Sequence, residues 1–357
     1  MKRPRLLTPG PVNLHPAAGA VLAGEPLHHR SPEASALLAQ VRGALARLFF
    51  TEGEVVFVGG SGTAAMEAVV RGLFRPGERV WVPVAGKFAE RWLEIARAAG
   101  LEPVISEHAW GSAVTPDAVP SGPLAGALLT HSETSTGVLH PVRELAAALR
   151  ANHPEALLVV DAVTSFLLAP LELEGWGLDA AVSGSQKGTM APPGLAFAAL
   201  APRALERLRP AGYYLDLARE LAAESSGGTA FTPPIQLIEA VGAVLAAELP
   251  GGANDLRARW RAKARANERF YGLGVQAGLR PVPDAAAPRS PATAAFYLPA
   301  GRSYAELARA FLERGWRIAG GQGPLKGRIF RVSAMGYFEP DELERAYRDV
   351  SEVLDVK

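Results

Sequence analysis

The stretch Ser183-Gly-Ser-Gln-Lys187, followed closely by Pro192-Pro-Gly194, is the part of the sequence from which the fold can be inferred. This stretch follows the apolar run 178–182, so one lysine stands just after a strand-like segment, among small and polar residues. A lysine that forms a Schiff base must be held still, partly desolvated, and free of a strong carboxylate partner. The segment therefore predicts a catalytic role for Lys187.

Lysine is scarce in this chain, and its scarcity supports that assignment. The lysines are Lys2, Lys87, Lys187, Lys263, Lys326 and Lys357. The two terminal ones are poor candidates, and we expect Lys87 and Lys263 on the polar faces of helices. Lys326 lies in a glycine-rich loop and is the one serious rival of Lys187.

Length and charge limit the class of protein. A chain of 357 residues exceeds the usual size of a single core, so two domains are expected. With 48% hydrophobic and 20% charged residues the composition is that of a soluble globular protein. The formal net charge is +1 and the arginines are scattered among acids, so we expect no nucleic-acid partner.

The sequence also bears on location and metal chemistry. No segment reaches the roughly 18 apolar residues of a membrane span, and the amino terminus lacks the apolar core of a signal peptide. A cytoplasmic enzyme without a membrane partner is the expectation. The chain has no cysteine, which excludes disulfides, thiolate metal sites and cysteine nucleophiles, and we expect no metal site.

Short apolar runs alternate with longer amphipathic ones from residue 54 onward. Strands are predicted at 54–58, 80–84, 124–130, 157–163, 180–183 and 195–200, and helices at 63–74, 88–99 and 142–152. This alternation predicts βα units and a mostly parallel sheet covered on both faces. After helices at 235–249 and 254–277, the remaining residues predict a small α+β domain. Ligands of such sheets bind at the carboxyl ends of the strands.

Two clusters at predicted strand ends suit a phosphorylated aromatic cofactor. Gly59-Gly-Ser-Gly-Thr63 joins a strand to a helix amino terminus, where backbone N–H groups attract an anion. A tight structural turn explains this segment equally well. Asp161 ends an apolar run and could keep a pyridine nitrogen protonated, although such a residue more often caps a helix or pairs with an arginine.

Other polar residues are candidates for substrate binding. His131 follows a further predicted strand and could titrate near neutral pH, but a lone histidine is more often structural. Arg331 stands in a short apolar strand, where a guanidinium needs a partner such as a carboxylate. Arg30, in His28-His-Arg30, is a second candidate clamp.

Together these segments resemble the class V aminotransferases, the fold-type I family that uses pyridoxal phosphate (PLP), and in particular the alanine/serine–glyoxylate (serine–pyruvate) branch. The matching segments, in chain order, are Thr8-Pro-Gly-Pro-Val-Asn13, His28-His-Arg-Ser-Pro-Glu33, Gly60-Ser-Gly-Thr63, Thr130-His-Ser-Glu-Thr-Ser-Thr-Gly137, Val160-Asp161, Ser183-Gly-Ser-Gln-Lys187, Pro192-Pro-Gly194, Gly320-Gly321 and Phe330-Arg-Val-Ser-Ala-Met-Gly336. Each match alone is weak, but their shared order is specific.

The resemblance implies an α/β architecture with two domains. A large PLP-binding domain, residues 1–250, would contain a seven-stranded, mostly parallel sheet between helices and an amino-terminal arm, residues 1–15. A smaller α+β domain would comprise residues 251–357.

The resemblance also implies how PLP is held. Lys187 would bind it as a Schiff base, and Asp161 would pair with its pyridine nitrogen. The other implied contacts are Phe88 and Val163 on the two ring faces, Ser135 at the ring hydroxyl, and Ser61, Gly62, Thr63 and Gln186 at the phosphate. Close relatives often carry tryptophan or tyrosine at the position of Phe88.

A second set of implied residues concerns the substrate and the partner subunit. Arg331 would bind the substrate α-carboxylate, with Arg30 as the alternative. Thr232 would reach the phosphate from the neighbouring subunit, which implies a homodimer with its active site at the subunit interface. Some relatives carry a tyrosine where this chain has Thr229.

The implied activity is amino-group transfer by a ping-pong mechanism. The donor would be alanine, serine or aspartate, and the acceptor glyoxylate, pyruvate or 2-oxoglutarate. Phosphoserine aminotransferase activity, favoured by the His29-Arg30 pair, and a PLP lyase activity are the alternatives. The absence of cysteine excludes a cysteine desulfurase. A non-enzymatic relative of the fold is disfavoured because Lys187, Asp161 and Arg331 are all present.

Overall fold

The computed structural model describes residues 3–354, so Lys2 and Lys357 lie outside the described residues. The strands are β1 (Arg5–Leu6), β2 (Glu54–Gly60), β3 (Arg79–Val84), β4 (Glu102–Glu107), β5 (Gly126–Thr130), β6 (Ser132–Glu133), β7 (Val138–Leu139), β8 (Leu157–Asp161), β9 (Ala180–Gly184), β10 (Gly194–Leu200), β11 (Ala294–Tyr297), β12 (Trp316–Arg317), β13 (Ala319–Gly320) and β14 (Ile329–Val332).

The α-helices are α1 (Pro16–Leu22), α2 (Pro32–Phe49), α3 (Gly62–Leu73), α4 (Lys87–Ala98), α5 (Val142–Asn152), α6 (Pro202–Arg207), α7 (Leu217–Glu224), α8 (Ile235–Glu248), α9 (Ala253–Gln276), α10 (Tyr304–Glu313) and α11 (Pro340–Val353). Within residues 3–354 no single helix is long and apolar enough to cross a membrane. Only α8 and α9 taken together reach that length and composition, and they are bent by 83°.

The large sheet has seven strands in the order β2-β10-β9-β8-β5-β3-β4. All are parallel except β10, which is antiparallel to both of its neighbours. Both faces are buried, as expected for parallel strands covered by helices. In β2, for example, Val55 and Phe57 pack into one hydrophobic cluster, whereas Val56 and Val58 pack into another on the opposite face.

A second, smaller sheet lies in the carboxyl-terminal part, with the antiparallel order β11-β14-β13. It packs with α10, α11 and the carboxyl-terminal half of α9 around Phe296, Phe330 and Trp316. The amino-terminal strand β1 joins this region because it pairs in parallel with β12. The predicted domain boundary near residue 250 stays a prediction, since α9 contributes to two clusters, through Trp260 and through Phe270.

The register of the central strands places several polar residues at one edge of the large sheet. Thr130 at the end of β5 is opposite Asp161 at the end of β8, and Asp161 is in turn opposite Val182 near the end of β9. The segment that carries Lys187 follows β9 directly. The carboxyl edge of the sheet therefore brings together Asp161 and Lys187, as the spacing in the sequence predicts.

Candidate active site

A cavity of about 280 Å³ opens at this carboxyl edge. Its lining residues are Ser61, Gly62, Thr63, Met66, Phe88, Arg91, Asp161, Val163, Gln186 and Lys187. All of them except Met66 and Arg91 are among the site residues expected from the sequence. The fold thus gathers, in one cavity, residues from four separate segments of the chain.

Lys187 lies in the turn after β9 with 8% of its surface exposed. Its Nζ donates a hydrogen bond of 2.6 Å to the carbonyl oxygen of Pro9 in the amino-terminal segment. Burial lowers the pKa of Lys187 to about 8, although the nearby Asp161 carboxylate acts in the opposite direction. A measurable share of the amine is therefore neutral and nucleophilic near neutral pH.

Asp161 is buried at the end of β8, and its Oδ1 accepts a 2.8 Å hydrogen bond from the backbone N–H of Val163. Burial raises the pKa of Asp161 to about 6, while that hydrogen bond and the cations of Arg91 and Lys187 oppose the rise. At pH 7 the carboxylate is mostly ionised. It is therefore able to stabilise a positive charge placed in the cavity.

The amino terminus of α3 forms one wall of the cavity. Its N-cap residue, Ser61, makes no side-chain capping bond, and the first N–H groups of a helix have no intrahelical acceptor. A Cβ added to Gly62 would lie 2.6 Å from Cγ2 of Val163, so only glycine allows this close packing. Among the described residues, the buried Oε1 of Gln186 has no hydrogen-bond partner. The free N–H groups at the start of α3 and the amide NH₂ of Gln186, which lines the same cavity, are the donors that a phosphate group needs.

Arg331 lies in β14 with 5% of its surface exposed. Its Nε donates to the carbonyl oxygen of Gly320 at 2.9 Å, and its Nη1 donates to that of Thr134 at 2.8 Å. Burial lowers the pKa of Arg331 to about 10, and the nearby Glu133 opposes the shift. The side chain is therefore a cation at neutral pH, oriented by two neutral carbonyl groups.

The loop after β5 differs from the expectation in two respects. Ser135, expected at the ring hydroxyl of the cofactor, is not among the residues that line the cavity, and its role stays a prediction. Its hydroxyl donates a 2.6 Å hydrogen bond to Glu133 and accepts one from the N–H of Lys87. His131 was expected to be able to titrate near neutral pH, but burial lowers its pKa to about 3, and its ring packs edge-on against Trp176. His131 is therefore neutral.

Two further predicted residues lie apart from the cavity within the chain. Arg30 is exposed, just before α2. Thr232 lines a separate, small cavity with Tyr214 and Phe231, next to β2. Neither contacts the Lys187 cavity from its own chain, and both roles stay predictions.

The sequence predicted no role for Arg91 or Glu133. Arg91 follows Phe88 by three positions, so both lie on one face of α4, and its guanidinium carbon is 5.0 Å from the centre of the Phe88 ring. That spacing was the available signal. Glu133 gave no such signal, because its partners in α4, the N–H groups of Phe88 and Ala89, are distant in sequence.

Lys263 was expected on a solvated polar face of a helix, but it does not lie on one. Its Nζ donates to the carbonyl oxygens of Met335 and Gly336, at 3.0 and 3.1 Å. Burial lowers the pKa of Lys263 to about 7, but the amine faces backbone carbonyls and does not line the cavity. Lys326, the expected rival, is exposed. Lys187 is therefore the one described lysine that lines this cavity.

The family model described as Aminotransferase class-V matches residues 17–268. The chain belongs to the class-V aminotransferases. The resemblance inferred from the short motifs is thereby confirmed, and the family implies PLP as the cofactor of this aminotransferase.

Three similar proteins cover nearly all of this aminotransferase. The solved structure of a subgroup IV aspartate aminotransferase from Thermus thermophilus is 52% identical, covers 98% of this chain and 99% of its own, and has a TM-score of 0.94. An L-aspartate–glyoxylate aminotransferase of Paracoccus denitrificans is 30% identical over 93% of this chain and 86% of its own length. A protein of Anabaena cylindrica, named soluble hydrogenase 42 kDa subunit, is 34% identical over 98% of this chain and 92% of its own length. The structural similarity confirms the expected fold-type I architecture.

Proposed function

We propose that this aminotransferase uses PLP to transfer the amino group of a small L-amino acid to a 2-oxo acid, with the two substrates bound in turn. Aspartate, alanine and serine are the candidate donors, and glyoxylate, pyruvate and 2-oxoglutarate the candidate acceptors. The main support is that Lys187 and Asp161 line one cavity together with the amino terminus of α3. Aspartate is the first donor to test, because two similar proteins carry aspartate in their names.

The residues that line the cavity suit PLP. The free N–H groups at the start of α3 and the amide NH₂ of Gln186 suit a phosphate. Val163 and Phe88, which both line the cavity, suit an aromatic ring, and the Asp161 carboxylate suits a protonated ring nitrogen. When bound, the cofactor supplies an aldehyde that carries the amino group and a ring that accepts electrons from the substrate α-carbon.

Lys187 would attach the cofactor and, once released from it, would act as the base that moves the proton of the substrate α-carbon. Both roles require a neutral amine, and the lowered pKa of about 8 provides it. The hydrogen bond to Pro9 fixes the position of the amine beside the cavity. Asp161 would keep the ring nitrogen protonated throughout.

Arg331 would bind the carboxylate shared by all these substrates. Its two bonds to carbonyl groups leave the guanidinium without a carboxylate partner among its hydrogen bonds in the described chain, so its charge is available to an anion. A planar guanidinium binds a carboxylate through two parallel hydrogen bonds. This arrangement orients the α-carbon without selecting the side chain.

The hydrogenase name of the Anabaena relative is not extended to this chain. An iron–sulfur cluster is usually held by cysteine thiolates, and this sequence contains no cysteine. The arrangement of Lys187, Asp161 and Arg331 supports amino-group transfer instead.

The experiment that tests the proposed function is a screen of each donor against each acceptor. Both the new amino acid and the new oxo acid are measured, which separates transfer from lyase activity, since a lyase yields no new amino acid. O-phosphoserine with 2-oxoglutarate is included to test the phosphoserine alternative. The Lys187→Ala variant serves as the blank.

We also propose a homodimer in which Thr232 of one subunit contributes to the site of the other. Its position in the chain, away from the Lys187 cavity, is compatible with this role. Mixed dimers of Lys187→Ala and Thr232→Ala subunits test it. If Thr232 acts across the interface, one of the two sites is intact and about half of the activity returns. If Thr232 acts within its own subunit, neither site of the mixed dimer is intact and its activity stays below half of the wild-type value.

A further inference from the structure

Glu133 is a buried carboxylate, with none of its surface exposed, in the loop beside the candidate site. Its Oε2 accepts hydrogen bonds from the backbone N–H groups of Phe88 and Ala89, at 2.9 and 3.3 Å. Its Oε1 accepts from the N–H and the hydroxyl of Ser135, at 3.1 and 2.6 Å. Burial raises the pKa of Glu133, and these hydrogen bonds oppose the rise. A buried carboxylate needs such donors, and here neutral groups satisfy both oxygens.

These bonds determine where α4 begins. The N-cap residue of the helix, Gly86, has no side chain to cap it. A Cβ at Gly86 would overlap the Glu133 carboxylate, so glycine permits the approach. Ser135 adds a bond, since its hydroxyl accepts from the N–H of Lys87 at 3.1 Å. Glu133 and Ser135 thus occupy the first three N–H groups of α4, where a negative charge is favourable.

The consequence for the site is that Glu133 fixes the backbone of Phe88, which lines the cavity. The next residue in the loop, Thr134, accepts the hydrogen bond from Nη1 of Arg331. The Glu133 carboxylate also favours the charged form of Arg331. One short loop therefore contacts both the proposed ring-stacking residue and the proposed carboxylate clamp.

We propose that Glu133 is a positioning residue that holds Phe88 and Arg331 in a fixed relation to each other. This role rests on the proposed function, in which Phe88 contacts the cofactor and Arg331 contacts the substrate. Glu133 itself touches neither. Glutamine has nearly the shape of Glu133, but one of its two oxygen positions is an NH₂ group, which cannot accept a hydrogen bond. Two of the four donors, either those of α4 or those of Ser135, then lose their acceptor.

Asp179→Asn is a matched control for Glu133→Gln. Asp179 is also a buried carboxylate, 1% exposed, and its Oδ2 accepts from the N–H of Leu158 at 2.6 Å and from Arg150. It precedes β9, so it lies at the opposite edge of the sheet from the cavity. Both variants replace a buried carboxylate by an amide, but only Glu133 contacts a residue that lines the cavity.

The experiment compares the two variants with the wild type by thermal unfolding, by PLP titration of the cofactor-free protein, and by circular dichroism of the bound cofactor. Both variants should unfold at a lower temperature. Only Glu133→Gln should bind PLP more weakly, by about tenfold, with altered cofactor dichroism and a higher KM for amino and oxo acids alike. If its PLP affinity and dichroism equal those of the wild type and Asp179→Asn, the proposal is wrong and Glu133 is merely structural.

A second variant keeps the proposal testable if Glu133→Gln does not fold. Gly86→Ala leaves the carboxylate in place but forces it apart from α4, so it should cause the same loss of PLP affinity. Unchanged affinity in Gly86→Ala would then refute the positioning role. Failure of the proposed function is recognised separately, because in that case the wild type itself forms no borohydride-reducible adduct with PLP.

Discussion

The amine of Lys187 donates a 2.6 Å hydrogen bond to the carbonyl oxygen of Pro9, a residue 178 positions earlier in the chain. Gly10, next to Pro9, has a φ of 113°, and a Cβ at this position would overlap the lysine side chain. The amino-terminal segment therefore packs against the side chain of Lys187 beside the candidate site. The proline- and glycine-rich start of the sequence has a structural reason in this contact.

Lys187→Ala should abolish the covalent attachment of PLP. The test is borohydride reduction followed by mass-spectrometric mapping of the modified peptide. Lys326→Ala and Lys263→Ala should retain the adduct, because Lys326 is exposed and the Lys263 amine is bound to backbone carbonyls. A reduced adduct that persists in Lys187→Ala would move the role to another lysine.

The rate at which the cofactor-free protein reacts with PLP should follow the ionisation of Lys187. Burial disfavours the charged amine and lowers the pKa from 10.5 to about 8. At pH 7 roughly one amine in ten is then neutral, against about one in three thousand for an ordinary lysine. The rate should therefore be about half-maximal near pH 8, level off above about pH 9, and fall towards tenfold per unit below pH 8.

Stopped-flow absorbance measures this rate, and a simple lysine derivative under the same conditions corrects for the ionisation of PLP itself. A corrected rate that still rises up to pH 10 would show that Lys187 has an ordinary pKa.

Asp161→Asn should keep the fold but lose most of the turnover. The amide oxygen can still accept the hydrogen bond from the N–H of Val163, so we expect little change in the unfolding temperature. The amide carries no charge to balance a protonated ring nitrogen. We expect kcat to fall by about 100-fold, or roughly 2.7 kcal/mol in the activation free energy, with weaker PLP binding. Near-normal turnover would place the stabilising charge elsewhere.

Arg331→Lys should lower kcat/KM by about 10- to 100-fold, or roughly 1.4 to 2.7 kcal/mol. Lysine keeps the charge but cannot bond to Gly320 and Thr134 while also binding a carboxylate through two parallel bonds. Steady-state kinetics should show similar losses for aspartate, alanine and glyoxylate, which share the carboxylate. A loss confined to one substrate would make Arg331 a side-chain selector and favour Arg30 as the clamp.

Much of the large sheet could be predicted from the sequence, because buried parallel strands are continuous apolar runs between turn residues. The predicted strand at 54–58 is β2, and that at 157–163 overlaps β8. The reversed direction of β10 was not predicted, since no local signal encodes the direction of a strand. The helices α1 and α2 were not predicted, although Leu38, Val41 and Leu45 in α2 have the spacing of an amphipathic helix.

The site was predictable where function depends on residues in local motifs, such as Lys187 and Asp161. It was not predictable where a side chain acts through distant backbone. Lys263 has the sequence surroundings of a solvated helix face, yet its partners are carbonyl groups more than 70 positions away. Glu133 likewise bonds to N–H groups 44 and 45 positions away. Such contacts arise only from the tertiary fold.

The most direct test of the central claim is a half-reaction with purified, PLP-loaded protein and aspartate alone. The absorption between about 330 and 430 nm reports the state of the cofactor, and the oxo acid released is measured in the same sample. We expect a spectral change with one equivalent of oxaloacetate per site, reversed when glyoxylate, pyruvate or 2-oxoglutarate is added, and absent in Lys187→Ala. If neither aspartate, alanine nor serine changes the spectrum of the loaded wild type, the claim that this site transfers amino groups from small amino acids is wrong.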